Sequence, residues 1–186
     1  RGASVTGLPI VLTLSIETNG RTMMGITPSD LVQLQDDLCT PLAAYGTNCG
    51  LGAAEVIAGI INMKQAADLA NVKPILVAKG NCGIPEWIDG KICYSGTPEL
   101  MAIYTKMAID SGARIIGSCC GTSPKHVAEM RKVIDSHEKG DTPDLARIES
   151  ELGVITSGAK AQMGGDLTIA GGAAGPGHKA SGRSRR

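Results

Sequence analysis

Three cysteines in this chain stand where they could bind one metal ion. Cys119 and Cys120 are adjacent, lie between Gly117 and Gly121, and directly follow a short apolar run. Such a run is typical of a buried strand, and the glycines allow the backbone to bend so that both sulfur atoms reach one ion. Cys49 also ends an apolar segment. Three thiolates match a catalytic zinc site that keeps one position open for a substrate.

Two other interpretations of these cysteines remain open. A free cysteine often packs as a small buried apolar residue, although the glycine-flanked pair together with Cys49 favours metal binding. A redox protein could instead use Cys119 and Cys120 as a vicinal disulfide. The other cysteines carry weaker signals: Cys82 follows a strand but is not expected to be a ligand, and Cys39 and Cys93 have no partner at a suitable spacing.

The composition is that of an intracellular globular enzyme. Lys plus Arg and Asp plus Glu each number 18, so the net charge is zero and no overall field attracts nucleic acid or anionic membranes. No apolar stretch approaches the roughly 20 residues of a membrane span, and signal-peptide features are absent from the first residues. We therefore expect a cytoplasmic protein without nucleic-acid or membrane partners. In that reducing compartment, its six cysteines suit metal binding or catalysis better than disulfides.

Strands and helices alternate along the chain. The apolar segments predict strands over 9–16, 43–48 and 74–78 and a fourth that begins at 113 and carries the cysteine pair. Helical spacing, Thr-Pro and Ser-Pro starts and glycine stops predict helices over 28–38, 54–70, 98–111 and 124–137. Four consecutive strand-helix units predict parallel strands with right-handed crossovers.

An open doubly wound sheet and a (β/α)₈ barrel are both built from such units. The barrel is favoured because polar residues and cysteines recur at the C-terminal ends of successive strands, where barrel active sites are assembled. Asn48 and Asn81 are candidate polar supports at two of these ends. A complete barrel needs about 250 residues. Because the chain begins with Arg1 rather than Met, we expect it to be the second half of a barrel from a longer product.

The domain prediction has three parts. Residues 1–140 form the half-barrel, and 141–156 form a short helix and a linker. Residues 157–186 are rich in Gly, Ala and Ser and end in a basic run, so they are expected to be a disordered, solvated tail.

Four motifs together resemble the homocysteine S-methyltransferase family. They are the segments 20–25, 46–49, 79–85 and 117–126, and the resemblance covers about residues 9–138. The resemblance implies a zinc-bearing (β/α)₈ barrel in which Cys49, Cys119 and Cys120 hold the ion. It also implies an S-methyltransferase that converts homocysteine to methionine.

The methyl donor is less well defined by the sequence. Segments 79–85 and 94–101 resemble bacterial family members that use betaine, so betaine is the favoured donor. S-methylmethionine, methyltetrahydrofolate with cobalamin, and a catalytically incompetent zinc-binding fragment are the alternatives. Most donor and homocysteine contacts in the family come from the first half of the barrel. The expected protein partner is therefore that missing half, or a second copy of the chain that covers the open sheet edges.

Overall fold

The computed structural model describes residues 3–17, 19–38 and 40–166. The strands are β1 Val11–Leu14, β2 Ala44–Cys49, β3 Leu76–Gly80, β4 Pro85–Ile88, β5 Lys91–Tyr94 and β6 Ala113–Ser118. The α-helices are α1 Pro28–Asp37, α2 Ala53–Leu69, α3 Pro98–Asp110, α4 Pro124–Ser136, α5 Leu145–Leu152 and α6 Ser157–Met163, and a short 3₁₀ helix spans Ala3–Thr6. None of the described helices is both long and apolar enough to cross a bilayer.

Four parallel strands form the main sheet in the order β1-β2-β3-β6. Each neighbouring pair is joined by a crossover that contains a helix, so spatial order follows chain order. This confirms the predicted α/β class, and the arrangement is that of a partial TIM-type barrel. Because the strands are parallel, their C-terminal ends all meet at one edge.

Capping residues explain why the predicted starts of α1 and α3 are correct. The Thr27 hydroxyl accepts a bond from the Asp30 amide at 3.0 Å, while the Asp30 carboxylate accepts from the Thr27 amide at 2.8 Å. Pro28 occupies the first helical position, where its missing N–H costs nothing. Thr97 caps α3 in a similar way through the Leu100 amide.

Helix α2 lies at the centre of the core. Twelve of its residues are buried, and it contacts α1, α3, α5 and α6 as well as the sheet. Tyr104 of α3 is also fully buried, and its hydroxyl accepts a bond from the Gly80 amide at 2.9 Å. This bond ties the C-terminal end of β3 to the helical layer.

The segment between β3 and α3 contains a hairpin, although the sequence pattern predicted no strand there. Strands β4 and β5 pair antiparallel, with Trp87 opposite Ile92. Asp89 and Gly90 form the turn, with φ angles of 49° and 76°. Asp-Gly is a strong signal for such a turn, but the flanking strands are only four residues long.

The predicted disorder from residue 157 onward is wrong for residues 157–166, which include α6. Thr156 caps this helix, and its amide and hydroxyl also donate to the buried Glu55 carboxylate at 3.1 and 2.6 Å. The buried Gln162 side chain donates to the Gly20 carbonyl and accepts from Asn62. Polar contacts and small side chains therefore hold α6 against the rest of the fold. The sequence of α6 consequently shows no apolar periodicity. The rest of the predicted tail, 167–186, lies outside the described residues.

Candidate metal centre

The three predicted metal ligands come together at the C-terminal edge of the sheet. Cys49 ends β2, and Cys119 and Cys120 directly follow β6. Their Sγ atoms all lie within 4.8 Å of one another. The Cys49 and Cys120 sulfurs are 3.9 Å apart, and those of Cys119 and Cys120 are 3.7 Å apart. All three side chains are half-buried, so an ion bound there would still be accessible to a small molecule.

The backbone at Cys49 adopts an unusual conformation. Its φ is 59°, in the left-handed region that residues with a side chain rarely occupy. Gly50 follows with a φ of 71°, and a Cβ there would lie 2.5 Å from the Ile16 carbonyl oxygen. This double turn ends β2 and brings the Cys49 thiol to the other two. Such conformations cluster at functional sites because the surrounding structure must hold them.

Asn81 links the two loops that carry the cysteines. Its side-chain amide donates to the Gly50 carbonyl at 2.9 Å, and its side-chain oxygen accepts from the Cys120 amide at 3.1 Å. The residue is 1% exposed, so both bonds lie in a dry environment. Asn48, the other candidate support, donates instead to the Ser15 hydroxyl at 3.4 Å, at the end of β1.

Further backbone bonds hold the Cys119–Cys120 loop against β3. The Cys119 amide donates to the Gly80 carbonyl at 2.9 Å, and the Cys82 amide donates to the Cys120 carbonyl at 3.0 Å. The Thr122 hydroxyl donates to the Cys119 carbonyl at 2.6 Å. The loop is therefore anchored on both sides of the two thiols.

The two other cysteines that the structure describes, Cys82 and Cys93, lie apart from this cluster. The Cys82 side chain is buried against Gly96, and burial raises the pKa of its thiol. Cys93 lies on the hairpin strand β5 and is exposed. Cys39 lies outside the described residues.

Tyr94 is a neighbour of the cluster that sequence reasoning did not identify. Its ring packs so closely on Gly121 that a Cβ there would collide with it. Its hydroxyl hydrogen-bonds to the Cys120 sulfur, which lowers the pKa of Cys120 and raises that of Tyr94. Tyr94 ends β5, so only the folded hairpin reveals this contact.

The two adjacent thiols have opposite pKa shifts. Desolvation, with hydrogen bonds from the neighbouring thiols, raises the pKa of Cys119 to about 11, whereas the bond from Tyr94 lowers that of Cys120. In the metal-free chain, Cys120 therefore ionises at a lower pH than Cys119.

We expect iodoacetamide to modify Cys120 faster than Cys119 in the metal-free chain at pH 8, because the thiolate is the reactive form. Between pH 8 and 10 the rate of Cys119 modification should rise by about tenfold per pH unit. The rate of Cys120 modification should level off at a lower pH than that of Cys119. Tyr94→Phe should slow the modification of Cys120. Peptide mass spectrometry of timed samples measures both rates, and faster modification of Cys119 at pH 8 would contradict the predicted order.

The donor set fits a zinc ion. Three thiols are soft ligands, and the described residues place no histidine or carboxylate in the same group. Sites of this type favour zinc over magnesium or calcium, which prefer oxygen ligands. The anchored loops supply the support that metal ligands normally receive from their neighbours.

Comparison with known proteins identifies relatives of this chain. The chain is 27% identical over 158 residues to betaine–homocysteine S-methyltransferase 1 of Danio rerio. That match covers 76% of this chain but 38% of the relative, so the chain spans well under half of that protein's length. The sequence profile of the homocysteine S-methyltransferase family matches residues 2–134, which is more than half of the chain. The chain therefore belongs to the homocysteine S-methyltransferase family.

Proposed function

We propose that this chain supplies the zinc site of an enzyme that transfers a methyl group to the sulfur of homocysteine, forming methionine. The observation that carries the proposal is the convergence of the Cys49, Cys119 and Cys120 sulfurs at the C-terminal edge of a parallel sheet. Catalytic residues of barrel enzymes lie at this edge. Family membership supplies the substrate class.

In this proposal the three thiols hold the zinc ion as thiolates. Bound zinc would keep the homocysteine sulfur deprotonated near neutral pH, where a free thiol is mostly protonated. Two other residues of this chain support the three thiols. Asn81 fixes the two cysteine loops relative to each other, and the Tyr94 hydroxyl interacts with the Cys120 sulfur.

Betaine is the proposed methyl donor. The name of the Danio rerio relative supports this choice. The site's charge also supports it, because three thiolates around one zinc ion would leave a net negative charge that attracts the trimethylammonium group of betaine. When the methyl group passes from betaine to the homocysteine thiolate, the leaving nitrogen becomes the uncharged tertiary amine of dimethylglycine, so the donor needs no general acid as it departs. S-methylmethionine is also cationic, and methyltetrahydrofolate remains the third donor to be compared.

The metal and the thiol substrate can be tested directly on this chain. Cobalt(II) substituted for zinc gives a visible spectrum that reports its ligands. We expect homocysteine to change that spectrum with one equivalent per metal, because its thiolate would occupy the open position. Homoserine, which carries oxygen in place of sulfur, is the matched control. An unchanged spectrum at millimolar homocysteine would contradict the proposed function.

A further inference from the structure

Lys79 lies on the face of the sheet that points away from the helices. Its strand neighbours face the helical layer: Ala78 is fully buried in the core, and Gly80 packs against the ring of Tyr104. Side chains alternate along a strand, so Lys79 must point to the opposite face, and it is exposed. In a barrel that face lines the interior.

The register places Lys79 directly beside the cysteine-bearing strands. Lys79 is opposite Asn48, the residue before Cys49, and also opposite Gly117 of β6. The Lys79 side chain lies across Gly117, where a Cβ would be 3.4 Å from Lys79 Cγ. The next residue, Gly80, accepts the Cys119 amide. One strand residue advances only about 3.3 Å, so the long lysine side chain can reach the space beside the thiols.

The surrounding polar groups suit a carboxylate ligand. On the same face, Asn48 donates to the Ser15 oxygen at 3.4 Å, which leaves the Ser15 hydroxyl proton available for another acceptor. None of the ion pairs in the described part of the chain includes Lys79. The inner face therefore presents an ammonium group without a described counter-charge, and the Asn48 amide lies on the neighbouring strand of the same face. Oxygen anions are the natural partners of such donors.

We propose that Lys79 binds a substrate carboxylate. This inference rests on the proposed function, which supplies two candidate ligands: homocysteine and betaine each carry one carboxylate. In this role Lys79 is a binding and orienting residue. By fixing the charged end of the substrate, it would help align the sulfur with the methyl group, and small misalignments of reacting atoms are costly.

The test compares Lys79→Met with the wild-type chain, both loaded with cobalt(II). We expect Lys79→Met to weaken homocysteine binding about 10- to 100-fold, the usual range for a hydrogen bond to a charged group. Its affinity for 3-aminopropanethiol, which is homocysteine without the carboxylate, should be unchanged. Lys79→Arg should retain most of the homocysteine affinity. Lys91→Met, on the exposed hairpin strand, is the matched control and should have no effect.

A second arm identifies which substrate supplies the carboxylate. Calorimetric titration with betaine, and with choline as the analogue without a carboxylate, is carried out on both proteins at saturating homocysteine. A Lys79-dependent preference for betaine over choline would assign the residue to the donor. The carboxylate role is wrong if wild-type and Lys79→Met proteins bind homocysteine and betaine with the same affinities. It is also wrong if the substitution lowers the affinity for 3-aminopropanethiol as much as it lowers the affinity for homocysteine. If wild type shows no homocysteine response, the proposed function itself fails.

Discussion

Alanine in place of Cys49, Cys119 or Cys120 is expected to lower zinc affinity by more than about 100-fold, because even changes outside the ligand shell commonly cost 10- to 100-fold. Each substitution removes one of the three thiols whose sulfurs lie within 4.8 Å of one another. Purified proteins would be analysed for metal by plasma emission spectroscopy, and their affinities measured by competition with a chromophoric chelator. The wild-type chain should contain about one zinc per chain.

Two other cysteine variants are the matched controls. Cys93→Ala changes an exposed thiol on the hairpin, and Cys39→Ala changes a thiol with no partner at a metal-binding spacing. Both should keep wild-type zinc content. Circular dichroism of all five variants would show that zinc loss does not simply report unfolding. Wild-type affinity in folded Cys119→Ala would refute the three-thiolate site.

The convergence of the three thiols was predictable because of a simple topological rule. Helix caps such as Thr27 and Ser123, and glycine stops such as Gly112, divide the chain into repeated strand-helix units. Repeated units of this kind give parallel strands, whose C-terminal ends share one edge. Cys49 and Cys119 each lie at the C-terminal end of a strand, so both must lie at that edge although 70 residues separate them in sequence.

Tyr94 and α6 were not predictable by the same reasoning. Tyr94 reaches Cys120 only because the β4–β5 hairpin folds back over Gly121, and the short, exposed strands of that hairpin carry little apolar periodicity. Helix α6 docks through Gln162 and through Gly158, whose amide donates to Asn19 at 2.6 Å. Glycine and glutamine in a low-complexity segment usually indicate a linker, because their specific partners lie far away in sequence.

The face of β3 on which Lys79 lies also could not be predicted from the sequence. The alternation of side chains could be read from the sequence, but which face of β3 meets the helices depends on where Tyr104 packs. In a strand that will be buried on both sides, apolar residues occupy both faces, so the pattern does not distinguish them. The structure resolves this ambiguity because Ala78 is fully buried and Lys79 is exposed.

The described sheet is open at both sides. β1 and β6 each pair with one neighbour only, and both carry exposed apolar residues, including Val11 and Ile115. A closed barrel removes such edges. Closure would also place further strands opposite Lys79 and the thiol cluster, and these strands would form a second wall of the barrel. The described four-stranded sheet provides only one side of the space in which the proposed reaction would hold its two substrates.

The 186-residue chain alone is therefore expected to form no detectable methionine from homocysteine and betaine, even when it is folded and loaded with zinc. Methyl transfer requires the donor methyl group, the sulfur and the departing nitrogen to lie in line, and effective positioning accounts for about 7–11 kcal/mol of such barriers. One wall of a barrel cannot impose that alignment on both substrates. When the other four strand-helix units are supplied, in the same chain or as a separate half-barrel, methionine should form.

Mass spectrometry with methyl-labelled betaine would detect the product, with labelled S-methylmethionine and methyltetrahydrofolate as competing donors. Complete barrels carrying Cys119→Ala provide the matched negative control, because they retain both walls but lack one zinc ligand. Labelled methionine made by the short chain would refute the requirement for a second wall. Activity of the complete barrel with another donor alone would overturn the betaine assignment, but it would leave the zinc-thiolate site intact, since that site depends only on strand ends present in this chain.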